Sequence, residues 1–258
     1  MEPGSLSSPA VVISRRDFDG FIFDMDGVVT QTASVHAAAW KHMFDEYLQQ
    51  RQAGGQGSYR PFDVIADYLP YVDGRPRVDG VAAFLASRGI TLPMGSPDDP
   101  PGRETVYGLG KLKDSYFQQL LEEQGVHIYQ TTIDLIHRLK QAGMRVGIFS
   151  ASRNADAVLR AGGVRNLFEA KVDGVDAAEL GLAGKPSPAV LLEVTRRLGL
   201  TPQRTGVAED AIAGVQAGKA GGFRLVIGVN RTGENGSLLA AGADAEVRDL
   251  AEVAVAAD

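Results

Sequence analysis

The chain has 258 residues, 44% hydrophobic and 22% charged, which suits a soluble protein with one large core or a core plus a smaller appended unit. Its net charge of −6, with no basic run, argues against a nucleic-acid scaffold, so an anionic substrate would have to be met by local cations or a metal. The lack of cysteine excludes disulfides, thiolate chemistry and zinc–sulfur sites. The N-terminal residues show no basic segment leading into a long apolar one, and no stretch reaches membrane-spanning length, so a cytoplasmic protein without a membrane partner is expected.

Residues 1–16 read as a loose tail. An apolar strand follows at 18–23, ending in Asp24-Met25-Asp26-Gly27. A helix is expected from Ala33 to Gln52, where Val35, Trp40, Met43, Phe44, Tyr47 and Leu48 recur at helical spacing, and a Gly/Gln/Ser patch at 52–58 ends it. Further helical patterns cover about 63–70, 78–88 and 104–124, with a Pro/Gly/Asp-rich loop at 93–103, and no strand is evident between 31 and 125. From 130 onward helices and strands alternate. Helices are expected at 131–142, 153–161, 187–198 and 211–220, and strands at 145–149, 169–173, 204–208 and 224–229. This is the pattern of a parallel sheet covered on both faces, interrupted after its first strand by an all-helical insert. The expected organisation is an α/β core from 1–30 and 126–258 with a helical cap over 31–125.

Polar residues stand where the core strands end, which is where α/β folds bind ligands. Asp24 and Asp26, with Gly27 allowing a tight turn, suit phosphoryl transfer in which one carboxylate attacks phosphorus and the other moves a proton. Ser150-Ala151-Ser152-Arg153-Asn154 could hold phosphate oxygens through a hydroxyl and backbone amides, although Ser152 or Asn154 could equally be a helix N-cap. Lys185, beside Pro186, is either a solvated surface residue or a fixed ammonium offsetting charge between nucleophile and phosphate. Glu209-Asp210 either favours a helix start through the helix dipole or completes an oxygen-only magnesium shell with Asp24 and the Asp26 carbonyl.

Taken in order, Asp-x-Asp-Gly, Ser, Lys-Pro and Glu-Asp resemble the haloacid dehalogenase-like superfamily of phosphatases and phosphomutases. The resemblance covers the whole α/β core and implies a Rossmann-like fold. It implies Asp24 as the nucleophile that becomes an aspartyl phosphate, Asp26 as general acid/base, and Ser150 and Lys185 as phosphate ligands. Glu209 and Asp210, with Asp24 and Asp26, would hold Mg2+. An aspartate at position 26 points to phosphate esters, because dehalogenating and phosphonate-cleaving members usually lack it.

The insert is similar to the cap of the β-phosphoglucomutase-like group. The segment from Thr32 through His36 to Trp40 resembles the start of that cap, which implies that Thr32 and His36 orient Asp26. By itself His36 would read as an ordinary helix residue, and Trp40 reads as cap core. Asp73-Gly74-Arg75-Pro76-Arg77 resembles the segment that places an arginine on the sugar's non-reacting phosphate, best matched by Arg77, then Arg75. Ser152, Arg153 and Asn154 would complete that second anion site, and Lys113 or Lys111 would reach the sugar hydroxyls. Residues 51–60 and 93–110 make the cap longer than the compact caps of the group. Ala208 stands where a bulky apolar residue is usual, and Gln130-Thr131 replaces a Pro-Gly pair. The expected function is a monomeric, magnesium-dependent mutase of a small phosphorylated sugar. The alternatives are a sugar-phosphate phosphatase on the same core and a non-catalytic sugar-phosphate sensor.

Overall fold

The computed structural model describes residues 11–231 and 236–256. Its main sheet has six parallel strands: β2 (Gly20–Asp24), β3 (Arg145–Phe149), β4 (Ala170–Val172), β5 (Thr205–Glu209), β6 (Leu225–Val229) and β7 (Ala245–Val247). They lie in the order β4-β3-β2-β5-β6-β7, so the chain reverses its direction of travel across the sheet at β2. That switch opens a crevice beyond the carboxyl ends of β2, β3 and β5. The register sets Asp24 beside Phe149 and Phe23 beside Ala208, which brings Ser150 and Glu209 to the two flanks of the Asp24–Asp26 loop.

The short β1 (Val11–Ile13) pairs in parallel with β8 (Val253–Val255), so the expected loose tail is ordered from Val11 onward. Ile13 is fully buried, and the ladder recovers backbone hydrogen bonds that a tail would leave to water. The rest of the expected tail, residues 1–10, lies outside the described residues. β7 and β8 were also not anticipated; each has only three residues, too few for an alternating pattern to show.

Four helices occupy the insert: α1 (Ala33–Ala53), α2 (Tyr68–Tyr71), α3 (Arg77–Ser87) and α4 (Val106–Gln124). They share a core of their own in which Trp40, Phe44, Phe62 and Phe84 pack ring on ring. Among the described residues, six helices belong to the α/β part: α5 (Gln130–Gln141), α6 (Ala155–Ala161), α7 (Gly174–Glu179), α8 (Ala189–Arg197), α9 (Ile212–Ala220) and α10 (Ser237–Ala240). Alternation along β2 shows how they sandwich the sheet: Phe21 and Phe23 join the cluster under α5 and α6, and Ile22 joins the one under α8 and α9. Where the chain enters and leaves the insert, its two crossings run side by side. Gln31 N–H bonds His127 C=O at 2.8 Å, and Tyr129 N–H bonds Val29 C=O at 3.0 Å. No helix among the described residues is long and apolar enough to cross a membrane.

Candidate active site

Asp24 ends the central strand and is 4% exposed. Lys185, carried by the loop before α8, donates to Asp24 Oδ1 at 2.5 Å and also to Glu209 Oε1. It is therefore no surface lysine: its ammonium is buried between two carboxylates, and their charges raise its pKa well beyond the ordinary lysine range despite the opposing effect of burial. Burial pushes the Asp24 carboxyl well above its usual value; Lys185 offsets this, and the charges of Glu209 and Asp26 add to it. Burial raises Asp210 in the same way, with Glu209 next in weight.

Carboxylate oxygens of Asp24, Glu209 and Asp210 lie within 4.8 Å of one another. Glu209 is already engaged by Lys185 and, through Oε2, by the Ala211 N–H at 2.6 Å. Asp210 has no hydrogen bond from any described residue, and its carboxylate fills the space where a Cβ on Gly27 would sit. Gly27 has φ +80°, so the loop can turn there and leave room for Asp210. An excess of oxygen-only negative charge with one unpartnered carboxylate fits a hard divalent cation.

Asp26 lies across the loop from Asp24. Thr32 donates to its Oδ1, Ser150 Oγ donates to its Oδ2 at 3.2 Å, and His36 Nε2 stands 3.3 Å from Oδ1 without hydrogen-bond alignment. Burial pushes the Asp26 carboxyl up, but His36, the Thr32 hydroxyl and Lys113 outweigh it and hold it near about 2. His36 stacks on Phe117 at 4.1 Å, and its Nδ1 meets Lys113 Nζ at 2.6 Å. Burial first, and then the Arg77 charge, depress Lys113 to about 7. Trp40 is 4% exposed in the insert's core, as expected, and also borders the cleft.

Arg77, Ala151, Ser152, Arg153 and Asn154, the residues expected at a second anion site, all line the same cleft. Arg77, at the start of α3, donates to Gly110 C=O at 3.2 Å and stands 3.0 Å from Asp114 Oδ1. Asn154 Nδ2 donates to the same oxygen at 2.8 Å. Asn154 occupies the N-cap position of α6, but its side chain caps nothing. Ser152 Oγ accepts the Asn154 N–H at 3.1 Å, Ala151 lines the cleft, and Arg153 is exposed with no ion pair among the described residues. Arg75 borders the cleft but, among the described residues, donates only to Pro70 C=O, at 3.4 Å. Lys111 faces a neighbouring cavity of about 750 Å3 rather than the reacting centre.

Sequence reasoning passed over three residues here. Asp73 and Tyr68 line the cleft opposite Asp210 and Lys185, and burial, followed by the charge of Glu209, raises the Asp73 carboxyl to about 7. Asp114 follows Lys113 directly. For Asp73 the signal lies in the Asp73–Arg77 segment itself, which carries an aspartate beside its arginines. The same segment presses Pro76 against Gly184, where a Cβ would overlap the proline ring.

Residues 18–222 match the haloacid dehalogenase-like hydrolase family. The chain belongs to that family. Within it, the chain is 45% identical over 235 residues to β-phosphoglucomutases of Mycobacterium bovis and Mycobacterium tuberculosis, covering 90% of each chain. It is 29% identical over 233 residues to the β-phosphoglucomutase of Bacillus subtilis, again covering 90% of both. In fold it is similar to the crystal structure of a β-phosphoglucomutase from Clostridium difficile, with a TM-score of 0.69 and 24% identity over 91% of this chain and 92% of that one.

Proposed function

We propose that the protein is a magnesium-dependent β-phosphoglucomutase, interconverting β-D-glucose 1-phosphate and D-glucose 6-phosphate through an aspartyl phosphate on Asp24. The carrying observation is that one cleft is lined both by Asp24 with Lys185 and by Arg77, Arg153 and Asn154, groups suited to hold two anions. A phosphatase needs the first, whereas a bisphosphate intermediate has to be held at both ends. The mycobacterial relatives at 45% identity support the same reading.

Within this reading, residues 31–125 form a cap over the core of 1–30 and 126–258, and each chain works alone in the cytoplasm. Asp24 carries the phosphoryl group and gives it to the free hydroxyl of the sugar phosphate, while Asp26, kept ionised by His36, Thr32 and Lys113, takes that hydroxyl's proton. The sugar bisphosphate reorients, Asp24 attacks its other phosphorus, and Asp26 returns the proton to the leaving oxygen. Lys185 stays charged throughout and steadies the negative charge that the displacement spreads over the phosphoryl oxygens. Magnesium bound by Asp24, Glu209, Asp210 and the Asp26 carbonyl would neutralise further charge on that group. The hydroxyl of Ser150 and the backbone amides after it would hold the transferring oxygens. Lys113 faces the sugar, and Thr32 and His36 orient Asp26.

The test is incubation with β-D-glucose 1-phosphate, Mg2+ and a sugar-bisphosphate primer, following glucose 6-phosphate and free phosphate together. Isomer without matching phosphate release supports the mutase. Phosphate release without isomer assigns a phosphatase, the activity named for a Mycobacterium leprae trehalose-phosphate phosphatase that is 34% identical over 48% of this chain and 28% of its own. Neither product, with no acid-stable phosphate on Asp24, would leave a sensor.

A further inference from the structure

Two of the donors expected to grip a non-reacting phosphate, Arg77 and Asn154, are both held by one carboxylate. Asp114 Oδ1 lies 3.0 Å from Arg77 Nη1 and accepts from Asn154 Nδ2 at 2.8 Å. Arg77 starts α3, Asp114 sits on α4, and Asn154 belongs to the core loop before α6. The Asn154–Asp114 bond therefore ties the insert directly to the core. Successive residues on a helix point about 100° apart, so Lys113 turns to His36 while Asp114 turns to Arg77 and Asn154. The pair is not sealed in: the Asp114 and Arg77 side chains are 31% and 20% exposed. Asp114 also borders both the reacting cleft and the cavity of about 750 Å3 beside it, so a shift of this side chain opens into existing space.

We propose that Asp114 is a phosphate surrogate: it fills the second anion site of the unliganded protein, and the substrate's non-reacting phosphate displaces it. The proposal rests on the two-anion reading given above and names the residue that makes that site selective. Asp114 is a positioning residue that acts through Arg77 and Asn154. With the site empty, its single charge keeps the guanidinium and the amide converged and the insert seated on the core. A phosphate dianion offers more charge and more acceptor oxygens to the same donors, and so can replace the carboxylate. A neutral sugar cannot. Once displaced, Asp114 leaves the phosphate to bridge insert and core in its place, so closure is kept while a substrate phosphate is aboard.

The test is calorimetric titration of glucose 6-phosphate, in buffer containing Mg2+, into the protein carrying Asp24→Asn, which reads affinity without turnover. Adding Asp114→Asn removes the competing charge but keeps an acceptor for both donors. Affinity should tighten about twofold to fivefold, the upper part of the range for a partly exposed ion pair. Asp114→Ser serves if the amide variant folds poorly, as judged by circular dichroism. In an Arg77→Ala background the gain should shrink to under about twofold, because the two changes act through one contact. Unchanged or weaker affinity in the Asp114 variant would overturn the surrogate. A gain of the same size without Arg77 would overturn it as well. Failure of the underlying reading is separate: Arg77→Ala alone would then leave glucose 6-phosphate affinity unchanged, removing the second anion site and the surrogate with it.

Discussion

Lys113→Met should make the protein more stable and less active, by amounts that depend on pH. The Lys113 ammonium is 4% exposed, faces the Trp40 and Phe117 rings at 5.3 Å and 4.7 Å, and has His36 Nδ1 at 2.6 Å. Its pKa is about 7 in the folded chain against 10.5 for the free side chain. Above pH 10.5 neither state is protonated and the residue costs nothing. As pH falls towards 7 the unfolded chain gains a proton that the folded one refuses, so stability drops by about 1.4 kcal/mol per unit. Below pH 7 the full cost is present, with a ceiling of about 5 kcal/mol for that shift. Methionine has a similar reach and no charge. After the loss of the His36 contact, which is worth about 1 kcal/mol, the variant should gain at least about 2 kcal/mol at pH 6.5. The gain should fade above pH 9. Urea unfolding across pH 6–10 gives the difference curve, and sugar-phosphate KM on the same preparations gives the functional side, where a rise of about tenfold or more is expected for a lost charge-assisted contact. A difference that is flat with pH, or a variant less stable at pH 6.5, would refute the buried-ammonium argument.

Asp24→Asn should lower turnover more than about a thousandfold with the fold intact by circular dichroism, because an amide cannot form the acyl phosphate; appreciable residual activity would remove Asp24 as nucleophile. Asp26→Asn should still be phosphorylated by acetyl phosphate, whose leaving group needs no acid, yet isomerise sugar phosphates at least about a hundredfold more slowly; normal turnover would end the acid/base assignment. Gly184→Ala puts a methyl group where Pro76 rests, so kcat should fall with little change in melting temperature, and equal catalysis would show that this contact does not govern closure. A chelator should abolish activity and added Mg2+ restore it, while insensitivity would leave the cluster of Asp24, Glu209 and Asp210 without a catalytic cation.

The sequence by itself determined the α/β core and where its longer strands end. This was possible because the signals are local. An apolar run becomes a buried strand, and whatever follows its last residue emerges at the carboxyl edge of the sheet. Asp24, Ser150 and Glu209 could thus be placed at strand ends before their neighbours were known. β1, β7 and β8 escaped because pairing partners create them: β1 exists through β8, more than two hundred residues away. Lys185 illustrates the same limit inside the site. Its spacing could not separate a surface lysine from a buried one, and contacts with Asp24, 161 residues away, and Glu209 decided it. Asp73 and Asp114 lie on the insert, where a lone aspartate reads as solvated surface. Only the packing of insert on core carries the first to the edge of the acidic cluster and brings the second between Arg77 and Asn154. The charge environment of a residue is a sum over space, and chain order records only the part that sequence neighbours supply.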